Sequence, residues 1–294
     1  MPACDLSIVL PVNSNQENLD RILLELSANS PDVSWEVIVV DDGSSIALQL
    51  SDTSPDHWNI YRNENRQGAA VARNIGVKHA RGEFIILLSV FLKIPDTYID
   101  QLRAFIKNHH FDIAQHLVEK SPNAQADYFQ VFLAGQKGRV SRVGKNLPVK
   151  NTQFGAAIFK KEMFVEVGGF DETMNHYGGH ELDLAYRLDQ KGYSTRVLIE
   201  DLSLERVKLE THSSVSSRLQ EYGRIGLPAL LKKHPELKKT ILLYPQLWYL
   251  LKIFGISKGL ENRLNKRIEQ NVKLSKRQYR LYLHLLVRNA WDAR

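Results

Sequence analysis

Two rhythms of apolar residues alternate along the first hundred positions. Short, nearly unbroken apolar runs occur at LSIVLPV (Leu6 to Val12), in WEVIVVDDGSS from Trp35, and at EFIILLSVF from Glu83. Such runs read as strands buried on both faces, and NIYRNEN from Asn59 adds a shorter one. Between them Leu19, Ile22, Leu23 and Leu26 recur at helical spacing, with Asn13 or Ser14 as the expected cap. GAAVARNIGVKHA from Gly68 reads as a helix of small residues, and DTYIDQLRAFIKNH after Pro95 as another. Strand, helix, strand, helix, strand implies a mostly parallel sheet flanked by helices. Ligands of such sheets sit outside the carboxyl ends of the strands, and Pro11, Asp41, Asp42 and Ser89 all fall at such ends.

A less regular stretch is expected from Asp112 to Pro148. VKNTQFGAAIFKKEMFVEVGGFDE then reads as a strand, a short helix and a Gly-Gly turn. In HELDLAYRLDQKGY, Leu182, Ala185, Tyr186 and Leu188 mark a helix face. Beyond Ser213 the chain reads as helical and basic.

Composition changes this picture in two places. The 43% hydrophobic and 24% charged residues of the 294-residue chain are ordinary for a globular protein. The single cysteine, Cys4, rules out an internal disulfide framework and fits a reducing compartment. Neither a signal-like start nor an apolar run long enough to span a bilayer is evident, so a cytoplasmic location is expected. The net charge of +6 is uneven: residues 232–294 hold 15 Lys/Arg against 4 Asp/Glu, and the rest 24 against 29. Basic regions of this kind meet anionic surfaces.

Six segments in order carry a resemblance: SIVLPV, VIVVDDGSS, NRQGAAVARNIGVKHARGEFIILL, FKKEMFVEVGGFDE, GGHELDLAYRLDQKGY and HSSVSSRLQEYGR. Together, over roughly Leu6 to Pro235, they resemble the family 2 glycosyltransferases. That resemblance implies a GT-A (Rossmann-like) α/β fold over residues 1–230, followed by a helical basic extension over 231–294. It implies inverting transfer of a sugar from a nucleotide-sugar donor to a glycan or lipid-linked acceptor. Asp41 or Asp42 would then bind the base or ribose beside Pro11 and Val12; alternatively, Asp-Asp-Gly-Ser is only a turn with Asp at a favoured place. Arg73 would support the donor site, or be a solvated helix-face arginine.

Two departures from the family pattern matter. Where the family carries Asp-x-Asp for ribose and a divalent metal, this chain has Ser89-Val90-Phe91. Valine and phenylalanine offer no ligand to a hard cation, so no metal cofactor is expected. Lys93, Arg73, His212, Arg218 and Arg224 are the candidates for holding the departing diphosphate. The family's Gly-Glu-Asp-x-Asp is here Gly179-His180-Glu181-Leu182-Asp183. Glu181 or Asp183 is the expected general base, one methylene further out at Glu181; otherwise both are first-turn acids favoured by the helix dipole.

A second reading is a catalytically silent homologue that binds a nucleotide sugar, a glycan or a partner transferase. Phe91 is the discriminating side chain, since its ring could fill the volume a diphosphate needs. For the basic tail, TILLYPQLWYLLKIFGISKGL and the helical pattern from Leu260 to Trp291 suit either a membrane interface or packing on the protein or a second subunit, as a homodimer. Charge alone speaks for nucleic acid, with no recognition motif, so no such partner is expected.

Overall fold

The computed structural model describes residues 5–29, 34–120, 147–174, 176, 178–197, 202–207, 211–241, 250–251, 253–270, 272 and 274–293. Cys4, Lys252 and most of the stretch expected to be irregular (121–146) lie outside the described residues. The chain divides into two compact units. One comprises Met1–Pro122, Val140–Asn175 and Leu184–Lys208; the other comprises Asn123–Arg139, His176–Asp183 and Leu209–Arg294. The boundary expected near residue 230 falls inside the second unit.

In the first unit the apolar runs form β1 (Leu6–Val12), β2 (Trp35–Asp41), β3 (Trp58–Arg62) and β4 (Phe84–Leu88), joined by helices α1 (Gln16–Ser27) and α2 (Ala69–His79). After β4 come β5 (Leu92–Lys93), α3 (Tyr98–Asn108), β6 (Ile113–Gln115), β7 (Val118–Lys120), β8 (Ala156–Lys160), β9 (Thr195–Val197) and β10 (Leu204–Arg206). The main sheet has the order β3-β2-β1-β4-β8-β6-β9. It is mostly parallel; β8 alone runs antiparallel to both its neighbours. A small sheet, β5-β10-β7, stands apart from it.

The period of two along each strand explains the unbroken runs. Ile8, Leu10, Val37, Val39, Ile86 and Leu88 enter one core with α1 and α3. Their neighbours Val9, Ile38, Val40, Ile85 and Leu87 enter a second core with α2 and with Leu184, Ala185 and Leu188. Each strand is therefore apolar on both sides. Helix α1 buries Leu19, Ile22, Leu23 and Leu26, the positions its spacing marks. Its N-cap is Asn15, not Asn13 or Ser14. Those two residues are engaged elsewhere: Asn13 Nδ2 donates to the Asp42 carbonyl, and the Ser14 N–H to Ser44 Oγ.

In the second unit, helices Ser257–Glu269 and Lys276–Asp292 share a core of Leu264, Ile268, Leu274, Tyr279, Tyr282, Leu285 and Leu286. The apolar stripe expected between Leu260 and Trp291 is thus largely spent inside this unit. Among the described residues no helix is long and apolar enough to cross a membrane.

Candidate functional site

The chain passes from β1 outward through β2 to β3 and then returns to place β4 on the other side of β1. Such a switch point leaves a crevice at the carboxyl ends of the two central strands. A cavity of about 230 Å³ lies there. Pro11, Val12, Asp42, Arg73 and Ser89, each singled out from the sequence, line it together with Arg66.

Asp41 and Asp42 part company. Asp41 is fully buried and does not line the cavity; it accepts the N–H groups of Ser44 and Leu48 at 2.9 and 3.1 Å, and Arg62. Burial pushes its pKa up, but the hydrogen bonds from Ser44, Leu48 and Arg62 outweigh it and leave the carboxyl below its usual range. Asp41, the alternative to Asp42 as the expected ligand for base or ribose, thus spends its carboxylate on anchoring the turn. Asp42 lines the cavity and accepts from Asn63 Nδ2, Gln67 N–H and Gly68 N–H at 3.0, 2.8 and 2.8 Å. Three of roughly four acceptor positions of the carboxylate are so occupied.

Arg66 went unnoticed in the sequence. Its placement depends on Gly43, whose φ is +66° and whose missing Cβ would sit 2.3 Å from Arg66 N. The Gly-Ser of the Asp-Asp-Gly-Ser motif was the available signal, since only glycine lets residues 65–66 lie against that turn. Arg73 is buried, its guanidinium 5.3 Å from the centre of the Phe170 ring.

Ser89, Val90 and Phe91 form a tight turn, closed by the Leu92 N–H on the Ser89 carbonyl at 3.0 Å. Ser89 Oγ accepts the Phe91 N–H at 3.3 Å. Arg21 of α1 donates to the carbonyls of Val90 and Leu92 at 2.6 and 3.0 Å. Val90 is buried, and Phe91 packs against the first core. The Phe91 ring is thus spent on the core, and is not what lines the crevice. Lys93 is exposed on β5, opposite Glu205 of β10.

Glu181, Asp183, His212, Arg218 and Arg224 belong to the second unit. Glu181 is half-buried in the first turn of helix His180–Gln190. Asp183 is fully buried, its Oδ1 2.7 Å from Lys233 Nζ and 2.8 Å from His234 Nε2. Asp183, the alternative to Glu181 as the expected base, is thus paired with Lys233 and His234 within the second unit. His212 opens helix His212–Glu221, where its Nε2 lies 3.2 Å from Asn265 Oδ1 and its ring stacks on Tyr282. Among the described residues no group of three or more His, Cys, Asp or Glu is arranged to hold a metal ion.

Residues 7–168 match the family described as Glycosyl transferase family 2, and residues 138–215 match one described as N-terminal domain of galactosyltransferase. Chondroitin synthase of Pasteurella multocida (strain Pm70) is 25% identical over 66% of this chain and 24% of its own length. The inactive polypeptide N-acetylgalactosaminyltransferase-like protein 5 of Macaca fascicularis is 23% identical over 65% of this chain and 49% of its own. The succinoglycan biosynthesis protein ExoA of Rhizobium meliloti (strain 1021) is 26% identical over 63% and 58%. The chain thus spans from a quarter to somewhat over half of these curated relatives. Among solved structures, the mannosyltransferase PcManGT of Pyrobaculum calidifontis, in complex with GDP-Man and Mn2+, is similar with a TM-score of 0.61 at 17% identity, covering 98% of this chain and 86% of that one. S. aureus TarS 1-349 in complex with UDP-GlcNAc has a TM-score of 0.55 at 15% identity, covering 98% and 91%.

Proposed function

The chain belongs to glycosyl transferase family 2, and on that premise we propose that it moves a sugar from a nucleotide-sugar donor to a hydroxyl of a glycan or lipid-linked acceptor. Transfer inverts the anomeric carbon and uses no divalent ion at the Ser89–Phe91 turn. The observation that carries this reading is the switch-point cavity, where Asp42 and two arginines converge on the ends of β1 and β4. Asp42 and the Pro11–Val12 backbone suit a base or ribose, which needs acceptors for its N–H and O–H groups. Arg66 and Arg73 suit the diphosphate, whose charge grows as the bond to the sugar breaks.

PcManGT is in complex with Mn2+, so the Ser89–Phe91 turn, where the family resemblance puts the metal-binding Asp-x-Asp, bears a fit test. A hard divalent cation takes several oxygen ligands, with carboxylates prominent among them. The turn offers Ser89 Oγ, which already accepts a backbone N–H, beside a buried valine and a core-packed phenylalanine. These residues do not fit the ion. Glu181 is the proposed base: it takes the acceptor hydroxyl proton while that oxygen attacks the anomeric carbon and the nucleoside diphosphate leaves. His212 stays a donor-binding candidate by the family resemblance, its Nε2 lying 3.2 Å from Asn265 Oδ1 within the second unit. A lipid-linked acceptor would be met at the cytoplasmic face of a membrane, where the basic C-terminal region suits anionic headgroups.

The same turn favours a second reading, a silent homologue that binds without turning over. A thermal-shift panel of UDP- and GDP-sugars, with EDTA and with Mn2+, followed by assays of transfer to glycan acceptors, separates the two. Stabilisation unchanged by EDTA, with transfer, supports the first reading. Binding lost on chelation and restored by Mn2+ overturns metal independence, and binding without transfer leaves the silent homologue.

A further inference from the structure

Single exposed apolar side chains are common on protein surfaces, but a cluster of them marks a contact. Leu250, Ile253, Phe254 and Ile256 in the second unit are 52, 58, 70 and 51% exposed. They are not a fraying end. Gly255 takes φ +64°, the Phe254 N–H reaches the Leu250 carbonyl, and the Ile256 N–H reaches the Leu251 carbonyl, both at 3.1 Å. A left-handed glycine followed by a bond back to Leu251 is a common way to close a helix C-terminus. Leu251 is held in the unit's core, and helix Ser257–Glu269 starts at once beyond the turn. The backbone is thus fixed on both sides while four large apolar side chains point away from their own core.

The surroundings are basic. Lys258 lies exposed just past the turn, pairing with Glu261, and Arg263 and Lys266 are exposed further along the helix whose buried side carries Leu264 and Ile268. Lysine is depleted at the centre of protein–protein contacts but is suited to the rim of a membrane-inserted segment. We propose that the turn Ile253–Phe254–Gly255–Ile256, with Leu250, inserts into the headgroup–acyl boundary of an anionic lipid bilayer, its lysines and arginine facing the phosphates. The proposal rests on the membrane-surface part of the reading above and deepens it by naming the segment that inserts.

The test uses the full chain and vesicles holding no sugar donor or acceptor, so it stands or falls apart from glycosyl transfer. Flotation with phosphatidylcholine vesicles, alone or mixed equally with phosphatidylglycerol, is expected to show binding to the anionic vesicles only, weakened by salt. Replacing Ile253, Phe254 and Ile256 together by Ser is expected to weaken that binding about tenfold or more while leaving the melting temperature unchanged. Because Cys4 is the only cysteine, Cys4→Ser with Phe254→Cys accepts a single environment-sensitive dye at the turn. Its emission is expected to shift to the blue on anionic vesicles. Absence of vesicle binding, binding unaffected by the Ser replacements, or bound protein with an unshifted dye would each overturn insertion. So would a blue shift that follows protein concentration without lipid, which would assign the turn to a second copy of the chain.

Discussion

Gly68 donates its backbone N–H to Asp42 Oδ2 at 2.8 Å, so the carboxylate that lines the switch-point cavity also fixes the entry to α2. Gln67 adds a bond of the same length to Oδ1. Removing the side chain orphans both N–H groups, and each unsatisfied donor costs about 1–3 kcal/mol. Asp42→Ala is therefore expected to lose about 2 kcal/mol of stability, read by urea denaturation, together with any nucleotide-induced thermal shift. Asp42→Asn keeps one acceptor oxygen, so a smaller stability loss with the same loss of nucleotide binding is expected. Full nucleotide binding by the Asn variant would remove Asp42 from the donor site.

Gly43 offers a test of the loop that carries Arg66. A methyl group there would meet Arg66 N and Asn65 C at 2.3 Å, on a backbone with φ +66°. Strain and overlap together put the cost of Gly43→Ala on the order of 3 kcal/mol. Arg66 lines the cavity, so the variant is also expected to bind nucleotide sugars more weakly than Arg66→Lys does. Calorimetry below the melting transition checks this, and equal affinities would uncouple the turn from the site.

Glu181 and Asp183 stand two residues apart and are expected to fail differently. Asp183→Ala leaves Lys233 and His234 without their buried carboxylate. Breaking such a pair costs several kcal/mol when both partners are buried; with Lys233 36% exposed, about 2 kcal/mol is expected. Glu181→Gln keeps the volume and is expected to abolish transfer while donor binding and melting temperature hold. Transfer by the Gln variant would place the base elsewhere.

The sheet was legible because strands covered on both faces need unbroken apolar runs, and LSIVLPV and FIILL are such runs. The small sheet was not. β5 spans Leu92–Lys93 and β10 spans Leu204–Arg206, too short to carry a period. At the site, position along the chain showed that Asp41, Asp42 and Ser89 lie at strand ends, but it could not tell which acid faces the crevice. That depended on Arg62, Ser44 and Leu48 closing around Asp41. Asp183 likewise read as a first-turn acid until Lys233 and His234, some fifty positions on, proved to be its partners.

His116 supplies a pH dependence that only its burial reveals. It is buried between the Tyr98 hydroxyl, 2.9 Å from Nε2, and the Ala156 carbonyl, 3.2 Å from Nδ1. Burial lowers its pKa from 6.5 to about 4, against a smaller opposing effect of the Ala156 carbonyl. The folded chain therefore holds a neutral imidazole where the unfolded chain takes up a proton. Its contribution is intact above pH 6.5 and is lost as pH falls toward about 4, in all about 3 kcal/mol. Asp41 acts in a separate window: its lowered pKa means its own contribution persists until the pH falls below 3.8. Urea denaturation at pH 7 and at about pH 4.5 should show most of the His116 loss, and His116→Gln should flatten the slope between them. An unchanged slope in that variant would mean that His116 is already protonated, or reached by water, in the folded protein.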